Sequence, residues 1–170
     1  MERQLILLRE QVKLARDVYA AMSTRWNTPM FQHAAAVEGP HMASVKLLLD
    51  WYRVDDPVRA NPPGVFSDRR LQTAYSHLIA QGTPSLEDAY KTGAAIETEL
   101  ITLLLDLTGD SCPRDINLIA QALLTSAQSN LASFTRLVDR QRGSLADGRE
   151  RRSSLSTTLV GAGSGSWSTR

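Results

Sequence analysis

PMFQHAAAVEGPHMASVKLLLDWY, residues Pro29 to Tyr52, carries Phe31, Ala35, Glu38, His41, Val45, Leu48 and Tyr52 at intervals of three and four. That spacing puts all seven on one face of an α-helix, and five of them form an apolar or aromatic stripe that has to be buried. Thr28 is placed as N-cap and Pro29 as first helical residue, where a missing N–H does no harm. Pro40 lies mid-way, lacks the donor for its own helical bond and crowds the preceding turn. A kink or bulge is expected there, the alternative being a break into two shorter helices.

The same periodicity extends outward in both directions. Toward the N-terminus, about Glu2 to Arg25 is uninterrupted by Gly or Pro, with Leu7, Leu8, Leu14, Ala15, Val18, Tyr19 and Met22 as its stripe. Arg9, Lys13, Arg16 and Asp17 are assigned to its flank. Toward the C-terminus, Asp55 to Gly64 reads as an ordered loop. Ser67 or Asp68 then caps a short helix through about Ala80, which Gly82 ends. Thr83-Pro84-Ser85 starts a further long helix that stops at Gly109. The last begins near Ser111 or Pro113 and runs to about Arg142. Four long striped helices with short connections bury their stripes against one another. The predicted architecture is all-α: an antiparallel four-helix bundle over 1–141, with a short extra helix between the second and third long ones. From Gly143 the periodicity vanishes into Ser, Gly and Arg, so 142–170 is expected to be a mobile tail. Trp26 and Trp51, at the ends of the first two helices, are expected to cover the edge of the core.

Composition narrows the function classes. With 170 residues and 42% apolar content the chain fits one domain. Its 19 Lys and Arg against 18 Asp and Glu give no case for nucleic acid. The lone Cys112 excludes an internal disulfide framework. No run reaches the roughly 18–20 apolar residues of a membrane span, and Met1 to Arg9 does not read as a signal peptide. A cytoplasmic protein is the expectation. Neither a nucleophile elbow nor a Gly-rich phosphate loop occurs, so no catalytic residue and no organic cofactor is assigned.

The informative residues are the polar ones inside the stripes. Glu38 and His41 are one turn apart on one face. Glu97 lies one turn before Leu100, and Glu10 one turn before Leu14, so each is able to point inward from another helix. Buried carboxylates need partners, and a divalent metal would supply one. Helical bundles build two-metal sites from two such Glu-x-x-His pairs plus two further Glu. Here only one pair exists. His33 and His77 lie off the last helix, whose interior polar candidates are Gln121, Gln128 and Asn130. The residues therefore leave two readings open: a reduced site of Glu38, His41, Glu97 and Glu10, or a metal-free polar network in which His41 bonds to Glu38, Glu97 or Tyr19.

Lys13-Leu14-Ala15-Arg16-Asp17-Val18-Tyr19 resembles the opening motif of a ferritin-like family, domain of unknown function number 2202. Further segments resemble it in order. They are Pro29-Met30-Phe31-Gln32, Glu38-Gly39-Pro40-His41-Met42, Pro63-Gly64-Val65-Phe66, Ser85-Leu86-Glu87-Asp88-Ala89 and Gly93-Ala94-Ala95-Ile96-Glu97. The resemblance spans nearly everything from Arg9 to Gln141. It implies a ferritin-like fold and a metal, iron or manganese, held between helices by Glu38, His41 and Glu97. The chain departs from the family pattern at Gln11, Val12, Thr98, Leu100 and Asn130, where the pattern carries acids or a His.

Two functions follow as expectations. One is a ferritin-like protein with a reduced or altered carboxylate and histidine metal site and a redox-related role. The other is a non-catalytic scaffold or interaction protein that keeps the bundle without metal. A homodimer is expected on general grounds, and the 142–170 tail is the expected contact for a protein partner.

Overall fold

A computed structural model describes residues 1–108 and 112–161, and the side chains of 1–108 and 112–144. Five helices make up the described chain: α1 (Glu2–Trp26), α2 (Pro29–Trp51), α3 (Arg69–Gly82), α4 (Leu86–Leu107) and α5 (Arg114–Gly161). Each boundary has a local cause. Asn27 ends α1 in the left-handed conformation (φ 45°) and Thr28 is the N-cap of α2. Asp68 caps α3 by accepting from the Arg70 amide, and Ser85 caps α4 by accepting from Asp88. Helix α2 runs through Pro40 as one element, so the alternative of a break into two shorter helices does not occur.

The four long helices contact one another in a closed ring, α1–α2–α5–α4, and α3 lies on α1 and α4. Neighbours run antiparallel. Arg9 reaches Met42 while Tyr19 meets Phe31, and Glu87 pairs with Arg142 while Glu97 meets Asn130. Helices α2 and α4 therefore point the same way. The 52–68 loop and α3 carry the chain back along the length of the bundle between them.

The core has two halves. One is aliphatic, built from Leu5, Leu8, Val45, Leu48, Leu104, Ile116 and their neighbours. The other is rich in aromatics. Tyr19, Phe31, Tyr90 and Phe134 sit there with ring centroids 5.5–6.4 Å apart. Close approach of α4 and α5 in this half requires Gly93, because a Cβ there would lie 2.6 Å from the Phe134 ring.

Three expectations need correcting. Arg9, Lys13 and Asp17 of α1 are not solvated flank residues but buried ones, at 6%, 0% and 3% exposure. Trp51 is not tucked over the core but stands 58% exposed, whereas Trp26 does close the core edge, donating from Nε1 to the Gly82 carbonyl at 3.0 Å. The last helix does not stop near Arg142. Its backbone continues to Gly161, through a segment without Pro that interrupts no helical bond. The remainder of the expected tail, 162–170, lies outside the described residues, as do the side chains of 145–161.

Candidate functional site: a polar layer inside the bundle

Between the two core halves the interior turns polar. On α2, Glu38 separates Phe31 and Ala34 from Met42 and Val45. On α4, Glu97 separates Ile96 from Leu100, and on α5, Asn130 separates Ala127 from Phe134. Glu38, Glu97 and Asn130 are buried, at 1%, 0% and 6% exposure. Tyr19 of α1 completes the layer, so each long helix contributes at least one polar side chain.

The bonds within the layer are few. Glu97 Oε1 accepts from the Tyr19 hydroxyl at 2.8 Å and from Asn130 Nδ2 at 3.0 Å. Its other oxygen, Oε2, is buried and has no hydrogen-bond partner. Glu38 Oε2 lies 3.1 Å from His41 Nδ1, and the His41 side chain is 16% exposed. Burial and then the nearby charge of Glu38 push the Glu97 carboxyl up to about 8, against the opposing pull of the Tyr19 and Asn130 hydrogen bonds. Burial likewise raises the Tyr19 hydroxyl well above its ordinary range, with the charges of Glu97 and Glu38 adding to it. At neutral pH Glu97 thus carries a proton. Two acids share a dry site with only one imidazole beside them.

Glu10 is used differently. It is buried at 2% exposure, but its carboxylate accepts from the loop amides of Ser67 (2.6 Å) and Asp68 (3.2 Å). It belongs to a second polar seam, on the outer side of α1. There Arg9 donates to both oxygens of Asp56 (3.1 and 3.0 Å) and to the Met42 carbonyl (2.7 Å). Lys13 pairs with Asp17, donates to the Pro62 carbonyl at 2.9 Å and lies over the Phe66 ring. Asp17 also accepts from the Gly64 amide at 2.9 Å. Glu10 therefore ties down the crossover loop, while Glu38 pairs with His41 and its charge acts on Glu97. The seam had a signal in the sequence: Arg9, Lys13 and Asp17 recur every four residues, directly beside the apolar stripe.

Donor chemistry in the layer suits a hard or borderline cation: two carboxylates and an imidazole, with one orphaned buried oxygen. Ligand number is short. Among the described residues no group of three or more His, Cys, Asp or Glu side chains is placed to hold a metal ion. Among them, too, no helix is long and apolar enough to cross a membrane.

Comparison with known proteins places the chain in a family. The model of "Uncharacterized protein domain (DUF2202)" matches residues 1–158. "Uncharacterized protein MJ0754" of Methanocaldococcus jannaschii is 35% identical over 135 residues, which cover 79% of this chain and 73% of that protein. The crystal structure of hypothetical protein MJ0754 superposes with a TM-score of 0.79 at 34% identity, covering 82% of this chain and 80% of that one. A match along nearly the whole helical region, supported by a relative at this identity, makes the chain a member of the DUF2202 family.

Proposed function

We propose that this chain is a ferritin-like bundle that takes up one divalent cation, iron or manganese, in its interior polar layer. The ferritin-like assignment draws support from the closed ring of antiparallel helices with one long crossover between the second and third long ones. The metal reading rests on one observation: Glu97 Oε2 is buried without a partner, in a carboxyl whose proton is held first by burial and then by the charge of Glu38. A cation would displace that proton and give Oε2 a partner.

Glu38 and His41 are the first pair to hold it. Two donors at right angles on one ion, each about 2.1 Å away, stand about 3.0 Å apart; Glu38 Oε2 and His41 Nδ1 are separated by 3.1 Å. Glu97 supplies the facing oxygen, and Tyr19 and Asn130 fix its orientation through Oε1. Among the described residues no further acid or imidazole is placed to close the shell, so water would fill the remaining positions, as hard divalent ions tolerate. Bound iron or manganese would supply one-electron chemistry. The protein's own part is to hold the ion away from bulk solvent and to exchange the Glu97 proton for it.

Elemental analysis of protein purified without chelator, followed by iron(II) and manganese(II) titration, tests this. About one equivalent is expected for the wild type and a loss of at least about tenfold in affinity for Glu38→Gln or Glu97→Gln. Metal below about a tenth of an equivalent with no binding on titration removes the proposal.

A second reading is carried by the Tyr19 and Asn130 bonds themselves. Glu97 in its protonated form already has both, so the layer is also able to act as a metal-free lock on helix register within a scaffold or interaction protein. Wild-type and Glu97→Gln proteins would then differ in stability and not at all in metal content.

A further inference from the structure

The outer face of α5 is unlike a solvated helix surface. From Ile116 to Thr135, twenty consecutive residues contain no Asp, Glu, Lys or Arg. The inner face accounts for only part of this, because Ile116, Ala120, Leu123, Leu124, Ala127, Asn130 and Phe134 are the buried positions. The opposite face presents Leu118, Ala122, Thr125, Ser129 and Ala132 to solvent, and Leu118 is 74% exposed. An exposed leucine followed by four small uncharged residues at helical spacing forms a smooth face that another helix can approach closely.

Charges bracket this face in a self-complementary order. Arg114 and Asp115 precede it, and Arg136 and Asp139 follow it on the same side of the helix. Turn a second α5 antiparallel, with Thr125 and Ser126 of the two copies at the two-fold axis. Asp115, whose carboxylate accepts from the Tyr52 hydroxyl in its own chain, then faces Arg136 of the second copy, twice over by symmetry. In this register Leu118 falls opposite Ala132 and Ser133, a large side chain against small ones, and Ala122 opposite Ser129. Within the chain the Arg136 guanidinium reaches only the Ser133 hydroxyl, at 3.0 Å, among the described residues.

We infer that the outer face of α5 is a homodimer interface, in which two copies pair their α5 helices antiparallel about an axis at Thr125–Ser126. A two-fold interface must match itself, and this face does so in both charge and side-chain size. The inference stands apart from the metal reading.

Sedimentation of the full chain tests it. The wild type is expected to run at twice its 18.7 kDa at roughly 50 μM. Ser129→Glu buries an unpaired charge opposite Ala122 and should raise the dimer dissociation constant at least about tenfold, with helix content unchanged. Arg136→Glu should weaken the dimer too, and adding Asp115→Lys should recover the loss. On a Cys112→Ser background, Thr125→Cys should oxidise to a linked dimer and Thr135→Cys, on the helix flank, should not. A monomeric wild type, an unchanged Ser129→Glu dimer, or absence of the Thr125 cross-link would each overturn the inference.

Discussion

Two regions of this bundle bury charge, and they do it in opposite ways. On the outer seam of α1 every buried ion has a counter-ion or a set of backbone partners: Arg9 with Asp56, Lys13 with Asp17, Glu10 with two loop amides. In the interior layer two acids face one imidazole, and one oxygen has nothing. Burial acts upward on the acids of both regions. At Asp56 the hydrogen bonds from Arg9 and the Val58 amide outweigh it, and the carboxyl ends below its usual range. At Glu97 burial and the charge of Glu38 prevail. Balanced burial is what a structural brace requires. Unbalanced burial is retained at a cost in stability and marks the place where a ligand would make up the difference.

Removing one member of a balanced pair should have the largest effect. Asp17→Ala leaves Lys13, wholly buried, with only a carbonyl and the Phe66 ring. A loss of about 3–5 kcal/mol is expected in denaturant unfolding, together with faster proteolysis in the 52–68 loop that Asp17 holds at Gly64. If unfolding shifts by less than about 1 kcal/mol, the seam is not the brace described.

The unbalanced site should respond to pH through Glu97. The Glu97 carboxyl is raised from 4.5 to about 8, so between those values the folded protein holds a proton that the unfolded chain has lost. Its stabilising contribution is complete below about pH 4.5 and is lost as pH rises through about 8. Metal-free wild type should therefore lose roughly 3 kcal/mol relative to Glu97→Gln between about pH 5.5 and 8. Parallel curves for the two proteins in thermal or urea melts would mean that Glu97 is balanced after all.

Gly93→Ala probes the packing that holds the layer together. The new Cβ would stand 2.6 Å from a Phe134 ring packed by Tyr19, Phe31 and Tyr90. Because that ring has little room to move, about 1–3 kcal/mol should be lost. The Tyr19–Glu97 bond should loosen with it, visible as a smaller pH difference between this background and its Glu97→Gln derivative.

Most of the helix plan was legible because its determinants are local. Pro29, Asp68, Ser85 and Gly82 act within a turn of where they stand, and the stripes have a fixed period. Glu38, His41 and Glu97 were legible as polar intrusions into those stripes. Glu10 looked identical by that criterion, and its different role depends on a loop 57 residues away in sequence. Periodicity gives a direction from the helix axis, not what lies in that direction. For the same reason Arg9, Lys13 and Asp17 read as solvent-facing: a charged stripe beside an apolar one is normally exposed, and only the crossover loop folding over α1 buries it. Trp51 shows the converse error, since an aromatic at a helix end covers the core only if another element leaves a gap there.

The smallest predicted effect separates position from charge inside the seam. Asp17 accepts from Arg16 as well as from Lys13, with Arg16 Nη2 at 2.7 Å from its Oδ1. By distance alone Arg16 looks a strong partner, but its side chain is 32% exposed whereas that of Lys13 is 0% exposed. Water replaces most of what Arg16 contributes, so Arg16→Ala should cost no more than about 1 kcal/mol, falling further in high salt. Lys13→Ala removes the buried partner and should cost several times as much. Equal losses for the two would show that the strength of the seam lies in the charge on Asp17 and not in the dryness of its surroundings, and the contrast with the interior layer would then need another cause.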